Sequence, residues 1–105
     1  MKKNELKYFK MIRDFFEIFL PNQKGASKHT IKSYKICMNQ FLDFAKASLG
    51  IKLRDFDFNH TTIELVESFL EYGENEYHWS AKTRNLKLAA IRSFYKYSAN
   101  HDITL

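Results

Sequence analysis

One cysteine, one proline and three glycines in 105 residues leave little from which to build a disulfide scaffold, a turn-rich β fold or a phosphate-cradling loop. Cys37 has no second cysteine to bridge to, and a lone thiol suits a reducing compartment. No apolar run approaches the roughly 18 residues of a membrane span, and Met1 to Glu5 lead into no signal-peptide core. The expected location is therefore the cytoplasm, with no membrane partner. His29, His60, His78 and His101 stand too far apart for an HxxxH pair, and none joins the cysteine at metal-ligand spacing. Neither GxxxxGK[ST] nor GxGxxG occurs, and nothing suggests a buried carboxylate pair. No catalytic residue, metal, cofactor or small-molecule substrate is expected of this chain.

What is present is aromatic and basic. Aromatic residues make up 16% of the chain, which disfavours disorder, and the length suits one domain over 1–105. The net charge of +5 permits an anionic partner but does not locate it. Counted by segment, Lys plus Arg against Asp plus Glu is 6 to 3 for residues 1–24, 6 to 1 for 25–54, 0 to 7 for 55–79 and 5 to 1 for 80–105. An acidic quarter thus lies between basic blocks.

Apolar periodicity predicts helices. From about Leu6 to Leu20, Tyr8, Met11, Ile12, Phe15, Phe16 and Phe19 recur at three and four, and Pro21 is expected to end that helix. Phe9 adds a fourth phenylalanine, more than one stripe needs, so the helix is either packed on two sides or offers a partner surface. Ser27 is the expected N-cap of a second helix, Lys28 to about Ser48, with Ile31, Tyr34, Met38, Phe41, Leu42, Ala45 and Leu49 along its face and Gly50 closing it. Cys37 lies beside that face and reads as a buried, inert thiol. Ile51 to His60 reads as an extended connector, with a short strand as the alternative. Thr61 and Glu64 form a capping box for a third helix through Ile63, Val66, Phe69 and Leu70 to about Glu76, weakened at Gly73. Its outer face carries Glu64, Glu67, Glu71, Glu74 and Glu76 and should point away from a polyanion. Ser80 caps a fourth helix to Asn100, with apolar rows at Leu86, Ala90, Phe94 and Tyr97 and at Leu88, Ile91 and Tyr95. The chain stops at apolar Leu105 with no tail, and the expectation is a fragment cut at a domain boundary.

The second and fourth helices begin alike, Ser27-x-x-Thr30 and Ser80-x-x-Thr83, each with cations in its first turns. Cations there oppose the helix dipole at a cost of a few tenths of a kcal/mol each, unless they and the dipole are aimed at an anion. Phosphate contacts call for long cations and helix-end N–H groups, and base-edge contacts for Arg, Asn, Lys or Ser. Lys28, His29, Lys32, Ser33 and Lys35 on one helix, and Lys82, Arg84, Asn85, Lys87 and Arg92 on the other, supply both sets. The competing readings are ordinary solvated helix faces, or a protein-interaction bundle using the acidic third helix or the Phe-rich first.

Thr30-x-x-x-Tyr34, Phe41-Leu42, Thr61-x-Ile63, Phe69-Leu70 and Ser80-x-x-Thr83-x-Asn85-x-x-Leu88-x-x-Ile91-Arg92-Ser93-Phe94-Tyr95-x-Tyr97 together resemble the N-terminal SAM-like core-binding domain of tyrosine recombinases, the phage-integrase and Xer-like family. The resemblance implies an all-α, compact four- to five-helix orthogonal bundle that forms half of a clamp on double-stranded DNA at a recombination site. By position it assigns DNA contact to the residues above other than Lys35, and structural roles to Thr30, Tyr34, Thr83 and Leu86. It also implies contact with other recombinase protomers. Strand cleavage would belong to a second domain, with an Arg/Lys/His/Arg set and a tyrosine nucleophile, beginning just after Leu105. Tyr34, Tyr95 and Tyr97 sit at core spacing and are not that nucleophile.

Overall fold

Four α-helices account for most of the chain in the computed structural model, which describes residues 3–52 and 60–101. They are α1 (Lys3–Asp14), α2 (Lys28–Leu49), α3 (Ile63–Tyr77) and α4 (Ala81–His101), with a π-helical segment, Phe15–Gln23, continuing α1. No strand occurs among the described residues. Most of the connector, with Leu53, Phe56 and Phe58, lies outside the described residues, as do the side chain of Tyr8 and the last residues to Leu105.

Every element after α1 contributes a fully buried phenylalanine to one core: Phe15 from the π-helical segment, Phe41 from α2, Phe69 from α3 and Phe94 from α4. Burying each stabilises the fold by about 1.5–3 kcal/mol. The rings meet edge to face, Phe15 with Phe94 at 5.4 Å between centroids and Phe41 with Phe69 at 5.3 Å. That geometry adds about 0.5–1.5 kcal/mol per pair, because a ring's positive edge meets its neighbour's negative face. α2 lies against the π-helical segment, α3 and α4, and α4 also against α3. The buried Ser98 hydroxyl donates to the Phe94 carbonyl at 3.0 Å, so it enters the core satisfied. Of the four phenylalanines near the start, Phe15 and Phe16 are buried and Phe9 and Phe19 half-buried against the core, as packing on two sides predicts.

Several local expectations are corrected. Pro21 does not end the first helix, which continues through it in π geometry to Gln23. Proline lacks an N–H, and in an α-helix its ring strikes the carbonyl four residues back; the wider i→i+5 turn changes that register. The Lys24 N–H accordingly reaches the Phe19 carbonyl, five residues back, at 2.8 Å. The cap of α3 is Thr62, whose Oγ1 accepts from the Leu65 N–H at 3.1 Å. Thr61 is instead held by a 2.6 Å hydrogen bond with the Tyr95 hydroxyl, tying the start of α3 to α4. Gly73 is no weak point either. It is buried, and the indole of Trp79 lies so close that a β-carbon there would collide with it. Ile63 and Leu86, both expected on apolar faces, are mostly exposed, whereas Ala90, Ile91, Phe94 and Tyr97 are buried.

Candidate nucleic-acid interface

The two helix starts that look alike in sequence are built alike. The Ser27 Oγ accepts from the Thr30 N–H at 3.1 Å and lies 3.0 Å from the Thr30 hydroxyl; the Ser80 Oγ accepts from the Thr83 N–H at 3.2 Å and lies 3.2 Å from the Thr83 hydroxyl. Each serine satisfies one of the four N–H groups that a helix start leaves unpaired. Neither first turn contains an acid, so the positive end of each dipole is not neutralised within its own helix.

The fold brings these starts together across a groove of about 360 Å³, whose walls include His29, Thr30 and Ser33 from α2 and Thr83 and Lys87 from α4. No acid lines it. Of the ten candidate residues, His29, Ser33 and Lys87 meet here. Lys28 and Lys32 are exposed on the same helix. Lys35 is exposed too, but two residues on from Ser33 it points about 160° away from it around the helix.

On α4 the candidates divide. Lys82, Asn85 and Arg92 fall with Ala89 on one exposed stripe at steps of three and four, which Lys96 extends by another turn. Lys96 was missing from the candidate set because its helix start is about four turns away; the spacing Lys82, Asn85, Ala89, Arg92, Lys96 was the signal that could have found it. Arg84 turns toward α3 and pairs with Glu74 at 2.8 Å. Arg84 and Arg92 also line a second groove, of about 500 Å³ between α3 and α4, together with Glu67. The five glutamates of α3 are all exposed, and two of them thus stand beside the basic helix.

Lys87 is half-buried. Its Nζ donates to Gln40 Oε1 at 2.9 Å and stands 5.1 Å from the centre of the Trp79 ring, so it links α2 to the loop before α4. The Cys37 thiol donates to the Lys87 carbonyl at 3.3 Å. Burial pushes that thiol up to about 11, against the opposing pull of the Lys87 charge, which leaves it protonated and unreactive near neutral pH. Tyr97 is buried and its phenol raised by the same desolvation, while Tyr95 is engaged with Thr61. Among the described residues no group of three or more His, Cys, Asp or Glu could hold a metal ion, and no helix is long and apolar enough to cross a membrane.

The described residues thus form an all-α domain with one aromatic core and two Ser-capped, acid-free helix starts beside a common groove. The chain belongs to the phage integrase N-terminal SAM-like domain family, whose model matches residues 12–101. Among its relatives, a protein of Sinorhizobium fredii described as the integrase/recombinase y4rC is 37% identical over 89 residues, covering 85% of this chain and 27% of that protein. A tyrosine recombinase XerC of Caldanaerobacter subterraneus is 30% identical, covering 88% of this chain and 30% of its own length. The chain therefore spans about a third or less of these relatives. No solved structure matches it.

Proposed function

We propose that this chain is the DNA-holding domain of a site-specific tyrosine recombinase, gripping duplex DNA in the cytoplasm through α2 and α4. The observation that carries the reading is the pair of matching, acid-free helix starts beside one groove, in a chain of this family. Lys28, Lys32, Lys82, Arg92 and Lys96 supply phosphate contacts. His29, Ser33 and Asn85 supply the base-edge contacts. Lys87 acts mainly by fixing α4 against α2, and Arg84 reaches DNA only on leaving Glu74. Strand cleavage is assigned to a second domain following Leu105.

If about five phosphates are neutralised, log K falls with log salt at a slope of about −4 to −5. Titration of this chain against duplex DNA at several salt concentrations measures it, and a flat response would sink the reading.

A second surface favours contact with other recombinase protomers. Phe44, Tyr72 and Tyr77 line a cleft of about 430 Å³ between α2 and α3, on the helix that carries the exposed glutamates. Sedimentation velocity of the free chain distinguishes the two readings, since a stable dimer formed without DNA favours the interaction module.

A further inference from the structure

The groove between the starts of α2 and α4 has an apolar element that its basic setting does not account for. Ile36, 45% exposed, and Leu86, 57% exposed, both line it, one from each helix. Single exposed aliphatic side chains are ordinary on any surface. Two of them on the walls of one acid-free groove, between two cationic helix starts, are a different case. On α2, His29, Ser33 and Ile36 follow one another at steps of four and three, and on α4 Lys82 and Leu86 are four apart, so each apolar side chain shares a helical face with polar or charged residues.

We propose that Ile36 and Leu86 read thymine methyl groups in the major groove; the inference rests on the DNA-holding reading above. The C5-methyl of thymine is the one apolar group that a base pair presents there. An aliphatic side chain aimed at it distinguishes thymine from the other bases while neighbouring cations hold the phosphates. Charge complementarity selects this occupant over an apolar protein surface: Lys87 stands on the walls, Lys28 and Lys32 are exposed on the adjoining helix, and among the described residues no carboxylate lines the groove.

The test removes the methyl group and nothing else. A random-sequence duplex pool is selected for binding to the full chain, then resynthesised with deoxyuridine in place of thymidine. The uracil pool is expected to bind about tenfold more weakly, the scale of burying one or two methyl groups. The double variant Ile36→Ala, Leu86→Ala is expected to bind both pools alike and to keep the salt dependence of the parent. Ile63→Ala, which trims a 74% exposed side chain lining the groove between α3 and α4, is expected to keep the preference for thymine. Should the double variant melt early, Leu86→Ala alone carries the comparison. Equal binding of the two pools by the parent chain, with salt dependence intact, overturns the inference and leaves the DNA reading standing. Uracil sensitivity that survives undiminished in the groove variants at Ile36 and Leu86 also overturns it. Loss of salt-dependent binding to either pool overturns both.

Discussion

Two side chains in this molecule behave differently from their residue type because of where they are packed, one by burial and one by an ion pair. Cys37 is sealed under α4, with its pKa raised by burial. In the unfolded chain the thiol ionises near pH 8.5, and in the folded chain near 11. Between those values the folded state holds a proton that the unfolded state has lost, so stability falls as pH rises, by about 1.4 kcal/mol per unit. Urea midpoints measured from pH 8 to 11 should show that decline, and Cys37→Ala should lack this part of it. Arg84 is held by Glu74. An exposed ion pair is worth about 0.2–1 kcal/mol, so Glu74→Ala should free the arginine and tighten DNA binding by up to about fivefold at low salt. Glu71→Ala, about one turn earlier on the same helix, serves as the control in that titration.

At the scale of elements, the ends of the helices matter more than their middles. Ser27→Ala and Ser80→Ala should each cost about 1 kcal/mol in chemical denaturation, since each leaves a first-turn N–H without its partner. Gly73→Ala should cost more, about 1–3 kcal/mol, because a methyl group there displaces Trp79 from its seat against α3. The loss should spread to the groove, since Trp79 also stands by Lys87, which binds Gln40. At the other end of that turn His78 takes the left-handed conformation, φ 57°, while the Trp79 N–H closes onto the Gly73 carbonyl at 3.3 Å. A β-carbon is strained in that conformation by about 1–2 kcal/mol, so His78→Gly should raise the melting midpoint.

For the whole molecule, the alternation of charge along the chain becomes an arrangement in space. The basic starts of α2 and α4 adjoin one groove, and the acidic α3 lies against both helices, with two glutamates among the cations of α4. The proposed DNA contacts therefore come from separate turns of two helices, and the salt slope is the property that sums them.

Much of this was legible in the residues, because it is local. Apolar steps of three and four predicted four helices, and Ser27, Gly50 and Ser80 marked ends that the structure shows, since a cap depends on side chain and backbone within about one turn. The buried phenylalanines and the inert thiol followed from the same periodicity, while the family came from a resemblance carried by particular residues, above all Ser80-x-x-Thr83 and Ile91-Arg92-Ser93-Phe94-Tyr95. Other features depend on atoms far apart in sequence. Thr62 displaced Thr61 as a cap because Thr61 pairs with Tyr95, 34 residues away. Gly73 looked like a helix breaker until Trp79 folded onto it, and Pro21 looked like a stop until the helix widened into π geometry around it. The ten basic and polar candidates looked like one surface because helical spacing records only which face a residue occupies on its own helix. Tertiary packing alone decided that Lys87 faces Gln40, that Arg84 faces Glu74, and that Ile36 and Leu86 line a common groove, since those relations depend on which helix lies beside which.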